Sequence, residues 1–433
     1  MTWKSEYKPL GWIFGIFLLA YFMPVGDIRF DTAVGEALSL LQWYAREHVI
    51  LCLIPAFFIA GVIAVFISQA AVLKYFGAAT KKWLSYTVAS VSGSILAVCS
   101  CTILPLFAGI YKRGAGLGPA IAFLYAGPAV NILAIILTAR ILGLELGIAR
   151  VAGAVIFAVV IGLAMHFIYR KEEALKKEAQ LALPETEAER PLWQNAFHFF
   201  TLVFILIFAN WGKPDTLRGF WFLLYSYKWL FTAFFGILLL FSLLFIVKVQ
   251  WKYILTGTVA VLAAYFIEPD NALIPFVTAI VALTVILMIS QGEARAWLDE
   301  SWGFVKQILP LLAGGVLLAG FFLGSQTGNG GIIPEAWISG LVGGNSLFAN
   351  FFASIVGAFM YFATLTEVPI LQGLLNSGMG KGPALALLLA GPALSLPNML
   401  VIRGIIGTQK TLLYVTLVIV MATASGLLFG FLF

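Results

Sequence analysis

Two stretches of this chain carry nearly the same pattern of glycine and proline: G-L-G-P-A-I-A-F-L-Y-A-G-P-A at Gly116–Ala129 and G-K-G-P-A-L-A-L-L-L-A-G-P-A at Gly380–Ala393. The match extends without a gap over residues 99–143 and 363–407, where 16 of 45 aligned positions are identical. Composition bias could pair many Leu and Ala residues, but it would not readily align three prolines and a run of glycines in one frame. The chain therefore contains an internal repeat.

The composition places this repeat in a membrane. Of the 433 residues 61% are hydrophobic and 11% charged, and the mean hydropathy is +1.00, whereas a soluble domain carries about 25% charged residues. A chain this apolar is predicted to be an integral membrane protein. The net charge of +6 does not imply nucleic-acid binding, because most Lys and Arg residues lie in short loops, where membrane orientation explains them.

Apolar runs that approach the roughly 20 residues needed to cross a bilayer occur along the whole chain. They do not show the alternation of a membrane β-barrel, so they predict an all-α polytopic protein. The first run has no small-x-small cleavage site after it and is interpreted as a retained helix. The runs lie at 10–25, 49–68, 86–111, 118–140, 148–169, 196–212, 229–248, 253–268, 272–290, 304–324, 346–375, 383–402 and 411–433.

One long charged segment, residues 170–191, divides the chain and is predicted to be a solvated cytoplasmic linker. A regulatory role for it is the less favoured interpretation. The predicted organisation is an N-terminal helix and loop (1–48), a first transmembrane repeat (49–169), the linker (170–195), central helices (196–303) and a second transmembrane repeat (304–433).

The lysines predict that the two repeats have inverted topology. Those within residues 69–85 mark that loop as cytoplasmic, whereas counting crossings from the linker places the corresponding loop, 325–345, outside. Parity then requires one run within 86–140 to enter and leave on the same side. Proline and glycine residues at 105–119 allow such a re-entrant helix.

Broken segments at matching positions of inverted repeats point to the binding site of a transporter. A broken helix exposes backbone groups that only protein or a water-filled cavity can satisfy. Close packing of helices is the alternative explanation for the same residues. The predicted breaks, which would form the gate, are Pro105, Gly109, Gly127 and Pro128 in the first copy and Pro369, Gly373, Gly391 and Pro392 in the second.

The two copies differ just before their shared proline, where the first has C-S-C-T (99–102) and the second has T-L-T-E (364–367). A C-x-C pair can offer two soft thiolates to a soft ion or a trivalent metalloid, although buried free cysteines usually act as small apolar residues. Cys52 stands alone in its run and is interpreted as such a residue. The predicted substrate contacts here are Cys99, Cys101, Thr102 and Thr366.

Glu367 is a carboxylate inside an apolar run, and such residues are functional hypotheses by default. It would couple transport to a proton or bind a cation. The structural alternatives are an ion pair with Lys381 or Arg403, or a position near enough to the surface for the carboxylate to stay hydrated. Asn131 and Asn398 follow the two A-G-P-A blocks and are predicted to line the same cavity, with helix capping as the alternative. The sequence predicts neither catalytic residues nor a metal site or cofactor, and it has no P-loop.

These motifs resemble a known family. C-S-C-T-x-L-P-L-F-A-G-I-Y-K-R-G-A-G-L-G-P and A-G-P-A-V-N-I-L are similar to the predicted-permease family that includes the organoarsenical efflux permease ArsP and bacterial YraQ-like proteins. The resemblance is strong over 86–143, and residues 346–407 fit the family's duplicated pattern, whereas the segment 196–290 resembles nothing recognised. It implies a plasma-membrane permease and, from the best-known members, export of trivalent organoarsenicals, for which paired thiols make chemical sense.

The sequence thus predicts a multi-pass plasma-membrane permease rather than an enzyme. It would be a secondary transporter that exports a soft, thiol-reactive substrate. The alternatives are a membrane thiol–disulfide oxidoreductase that uses Cys99 and Cys101, and an ion channel. The expected partners are a small-molecule or metalloid substrate and the lipid bilayer, not nucleic acid, with self-association left open.

Overall fold

The computed structural model describes residues 3–66, 81–96, 100–130, 132–181, 190–212, 219–324, 331–332, 341–360, 367–376 and 378–433. Within these ranges every regular element is helical, apart from an isolated bridge between Gly343 and Met379. Five of the described helices are long and apolar enough to cross a membrane, and several shorter apolar helices accompany them. The prediction of an all-α polytopic membrane protein is confirmed.

The first part of the chain contains one long helix followed by the first repeat. After α1 (Trp3–Tyr21), the long helix consists of α2 (Ile28–Tyr44), a π-helical segment (Ala45–Leu53) and α3 (Ile54–Phe66). The first repeat comprises α4 (Lys82–Leu96), α5 (Ser100–Lys112), α6 (Leu117–Ala129), α7 (Ile132–Ile141) and α8 (Leu144–Ile168).

The linker, central and second-repeat helices complete the fold. They are α9 (Arg170–Leu181), which is the polar linker helix, α10 (Leu192–Ala209), α11 (Phe220–Ser226), α12 (Lys228–Phe245), α13 (Trp251–Ile267), α14 (Leu273–Ile289), α15 (Glu293–Leu323), α16 (Leu347–Phe359), α17 (Glu367–Asn376), α18 (Lys381–Ala390), α19 (Leu396–Ile406) and α20 (Thr408–Leu432). The predicted boundaries at 48/49 and 303/304 fall inside the long helix 28–66 and inside α15, because both helices extend beyond their apolar runs.

The second repeat reproduces the helices of the first, 264 residues later. Helix α20 begins and ends 264 residues after α8 begins and ends. In the first copy α6 packs against α4 and α8, and in the second α18 packs against α16 and α20. The contacts between copies are reciprocal, since α5 packs against α19 and α7 against α17, as a two-fold relation requires. The sequence repeat is therefore a structural repeat; the inverted orientation of its copies stays a prediction.

Glycines let the paired helices of each copy cross at close range. A Cβ atom on Gly118 would lie 2.8 Å from the carbonyl oxygen of Gly162, and one on Gly382 would lie 2.7 Å from that of Gly426. Each position in the first copy is 264 residues from its partner in the second. Small residues at crossings are the usual means of close approach between membrane helices, so this crossing is built twice.

Two of the prolines predicted to be breaks, Pro105 and Pro369, lie inside helices. In contrast, α6 ends at Ala129, next to Pro128, and α18 ends at Ala390, shortly before Pro392. Helix α5 continues through Pro105, and Pro369 is the third residue of α17. Pro369 removes a backbone donor that would have no intrahelical partner in any case, because it lies in the first turn, whereas Pro105 is the sixth residue of α5. The chain turns instead at Gly114 and at its counterpart Gly378, whose φ angles of +95° and +100° favour glycine.

Buried polar bonds join the central helices to one another and to the first half of the chain. Helix α10 packs against α3 and α12. Fully buried His198 of α10 has its Nδ1 atom 2.7 Å from Ser242 Oγ of α12. Trp297 of α15, also buried, donates its Nε1–H to the carbonyl of Phe58 in α3 at 2.8 Å. The central helices are thus joined to α3, which in turn packs on α15.

Candidate functional site

A buried ion pair connects the two copies. Arg150 of α8 donates from Nη2 to Glu367 Oε2 of α17 at 3.0 Å, and from Nη1 to Thr138 Oγ1 of α7 at 2.9 Å. The side chains of Arg150 and Glu367 are 0% and 1% exposed. Charged side chains inside a membrane protein are costly and are retained mainly for function, so this pair is the centre of the candidate site.

Two tyrosines lie beside the pair where the copies meet. The Tyr125 hydroxyl of α6 donates to the carbonyl of Leu389 at 2.8 Å, and that of Tyr414 in α20 donates to Ala393 at 3.4 Å. Tyr125 is close enough to Arg150 to interact with it electrostatically. In the 264-residue offset Tyr125 corresponds to Leu389, and Arg150 to Tyr414. The arginine charge is therefore present in the first copy only, and the corresponding position of the second copy carries a tyrosine.

The ion pair keeps unused hydrogen-bonding capacity. Arg150 Nε and Glu367 Oε1 have no hydrogen-bond partner among the described residues. A buried polar atom without a partner costs about 1–3 kcal/mol, and more if it is charged. This arrangement is chemically able to accept a proton on the carboxylate or to bind a further polar group.

The partner of Glu367 is neither Lys381 nor Arg403, the two basic residues considered from the sequence. Lys381 Nζ lies 3.1 Å from Glu145 Oε2, and Arg403 Nε donates to Thr408 Oγ1 at 3.0 Å. Arg150 escapes prediction because it stands near the start of the apolar run 148–169, where an arginine resembles a helix-end residue. The signal that could have found it is a second charge inside an apolar run. Helix α8 begins at Leu144, six residues before Arg150, so Arg150 lies inside the helix and not at its end.

The structure places a third cysteine, Cys52, beside Thr102, the residue that follows the C-x-C motif. Cys99, Asn131 and Thr366 lie outside the described residues, as does the side chain of Cys101, whose backbone is in the first turn of α5. The next residue, Thr102, is buried, and its Oγ1 atom is 2.6 Å from Cys52 Sγ. Cys52 belongs to the π-helical segment, and π-helical turns are frequent at functional sites. Cys52, which stands alone in the sequence, is therefore in contact with Thr102 in the structure.

Asn398 is buried in the first turn of α19 but does not cap it. Ser395 caps the helix, since its hydroxyl accepts the Asn398 N–H at 3.3 Å. Ser395 is the residue that aligns with Asn131. The Oδ1 atom of Asn398 has no hydrogen-bond partner within the described part of the chain, so its amide can bind a polar group.

Some of the predicted gate residues are packing residues. A Cβ atom on Gly109 would lie 3.3 Å from the carbonyl oxygen of Ala60 in α3, and one on Gly127 would lie 2.6 Å from the side chain of Ile103. A Cβ atom on Gly373 would meet nothing within 4 Å. Pro128 lies in the last turn of α6, and Gly391 and Pro392 directly follow α18.

Comparison with known proteins decides the family. A family model described as a predicted permease, ArsP_1, matches residues 34–431. The chain belongs to this family. UPF0718 protein MJ0584 of Methanocaldococcus jannaschii is 41% identical over 415 residues, which cover 95% of this chain and 98% of that protein. UPF0718 protein YraQ of Escherichia coli is 41% identical over 59 residues, 14% of this chain and 17% of that protein. No solved structure matches the chain.

Membership makes the chain a multi-pass plasma-membrane permease, as predicted. The family match also covers the charged helix α9 and the central helices α10 to α14, in which the sequence resemblance was not recognised. The relative MJ0584, aligned over 95% of this chain, is long enough to include them, whereas most of the region before residue 34, including α1, lies outside the family match.

Proposed function

We propose that this permease is a secondary transporter that exports a soft, thiol-reactive substrate, such as a trivalent organoarsenical. The observation that carries the transporter proposal is the buried Arg150–Glu367 pair at the point where the two copies meet. Charged groups in such a position mark substrate or ion pathways.

The substrate class is proposed from the sulfur atoms. Cys99 and Cys101 bind the substrate through soft thiolates, and Cys52 stands beside the neighbouring Thr102. Glu367 takes up a proton or a cation during the cycle, and this loosens its bond to Arg150. The remaining proposed contacts are Thr102, Asn131, Thr366 and Asn398.

The thiol role is tested by replacing both cysteines of the motif. We expect the Cys99→Ser/Cys101→Ser variant to lose methylarsenite resistance in cells that lack other arsenical exporters, because a hydroxyl is a poor ligand for trivalent arsenic. The half-inhibitory concentration should fall at least about tenfold, which corresponds to 1.4 kcal/mol of binding. Immunoblots of membrane fractions verify that the variant is inserted, and Cys52→Ser is the single-cysteine comparison. Unchanged resistance would remove the thiol role.

The transport mechanism is tested in everted membrane vesicles. Vesicles that contain the permease should take up the substrate with saturating kinetics, and collapse of the proton gradient should abolish accumulation. Arsenicals, soft metal ions and sulfur oxyanions are compared as substrates. Flux that does not saturate would instead indicate a channel, and a change in thiol redox state with each turnover would indicate an oxidoreductase.

A further inference from the structure

The first residue of α18 is tied directly to the other copy. Lys381 pairs with Glu145 in the first turn of α8, and the Nζ–Oε2 distance is 3.1 Å. Both side chains are about half exposed, at 50% and 53%. An exposed pair of this kind contributes little to stability, so this tie is easily opened.

The first residue of α6, which is the counterpart of Lys381, is tied to the other copy through α9. Glu173 of α9 accepts the Leu117 N–H at its Oε2 atom, at 2.9 Å. Helix α6 has no side-chain cap of its own, since Gly116 precedes it. The Glu173 carboxylate, 4% exposed, therefore fills the positive N-terminus of α6.

The adjacent residue of α9 reaches the second copy. Glu172 pairs with Lys410 in the first turn of α20, whose Nζ atom also lies 5.4 Å from the centre of the Tyr169 ring. Consecutive glutamates thus bind α6 of one copy and α20 of the other. A solvated connector would not bury a carboxylate, so α9 has a specific docking position.

The two ties lie at equivalent positions of the repeat, because α18 and α8 are the counterparts of α6 and α20. At one of these positions, which we call corners, Lys381 and Glu145 join the start of α18 to α8. At the other corner, α9 joins the start of α6 to α20. If the copies are inverted, these corners face opposite sides of the membrane, with α9 on the cytoplasmic side.

We propose that the two ties are the alternating latches of the transport cycle. Helix α9 closes the cytoplasmic side through Glu172 and Glu173, and the Lys381–Glu145 pair closes the opposite side. This inference rests on the proposed secondary transport. Because the α9 latch includes a buried carboxylate and the other pair is exposed, the cytoplasmic side is the more firmly closed.

The test measures access to the native cysteines without any substrate. Inside-out and right-side-out vesicles are treated with a membrane-impermeant maleimide, and labelling rates are followed by the mass shift of the permease. Glu172→Gln/Glu173→Gln should raise the rate from the cytoplasmic side at least about tenfold, the effect of a 1.4 kcal/mol shift in opening. Glu145→Gln should raise the rate from the opposite side only.

Two further variants make the result specific. Glu300→Gln removes an ion pair with Lys112 outside both corners and should leave both rates unchanged. The charge swap Glu172→Lys/Lys410→Glu, with Glu173 intact, should keep the rate low, whereas Glu172→Lys alone should raise it.

The latch proposal would be overturned if Glu172→Gln/Glu173→Gln left the cytoplasmic labelling rate unchanged. It would also be overturned if the variants of both latches raised labelling from the same side of the membrane, or if Glu300→Gln raised the rate as much as they do. If the labelling rates change as expected but the wild-type permease exports no arsenical, only the substrate assignment is overturned.

Discussion

The Arg150→Met variant of the permease is expected to lose most of its folded protein, because Glu367 would remain as an unpaired buried carboxylate. Removing one partner of a buried ion pair costs about 3–5 kcal/mol, and both side chains are almost fully inaccessible. The measurement is the yield and thermal stability of monodisperse protein in detergent. The matched comparison is Lys381→Met, which breaks an exposed pair and should cost about 0–1 kcal/mol.

The double variant Arg150→Met/Glu367→Gln should recover much of the lost stability, since neither charge remains. A double-mutant cycle should give a coupling energy of about 2–3 kcal/mol between the two positions. If Arg150→Met is as stable as the wild type, the pair does not hold the copies together, and the proposed site loses its main support.

Glu367→Gln tests the coupling role with the smallest change to the pair, since the glutamine carbonyl can still accept the hydrogen bond from Arg150 Nη2 although the counter-charge is lost. We expect the variant to exchange labelled substrate across vesicle membranes but to accumulate none in a proton gradient, because glutamine cannot take up the coupling proton. Gradient-driven accumulation equal to that of the wild type would assign the coupling to another residue.

Gly162→Leu and Gly426→Leu should each abolish accumulation of folded permease. At Gly162 even a Cβ atom would lie 2.7 Å from the carbonyl oxygen of Gly118, and at Gly426 it would lie 2.7 Å from that of Gly382. Backbone cannot move aside as a side chain can, so α8 must separate from α6, and α20 from α18. Overpacking of this kind costs about 1–3 kcal/mol or more, and a leucine adds three further carbon atoms.

The control for this pair is Gly236→Leu in α12, where a Cβ atom would meet nothing within 4 Å. Its yield in membranes, measured by fluorescence-detected size exclusion, should equal that of the wild type. Similar losses at Gly162 and Gly426 would show that the duplicated crossing is needed in both copies. Normal yield of either variant would contradict the close approach of its two helices.

Much of the architecture could be predicted from sequence because it depends on local or repeated patterns. A long apolar run satisfies its backbone in a membrane only as a helix, so the all-α class followed from composition. The ungapped match of glycines and prolines gave the repeat, and the helices α4 to α8 and α16 to α20 reproduce it. Glu367 was recognised as a site candidate because a carboxylate in an apolar run is conspicuous by itself.

The site itself depended on contacts that no local pattern carries. Arg150 and Glu367 are 217 residues apart in the chain, and Cys52 lies 50 residues from Thr102. Pro105 predicted a break, but α5 continues through it from Ser100 to Lys112.

By itself, the sequence determined that this is a helical membrane protein with a duplicated, glycine- and proline-marked unit, because chemical periodicity and repetition are properties of the chain. Only the tertiary structure decided that Arg150 is the partner of Glu367 and that Glu173 caps α6. Those bonds form only after the two copies pack, and packing sets which distant side chains share the interior.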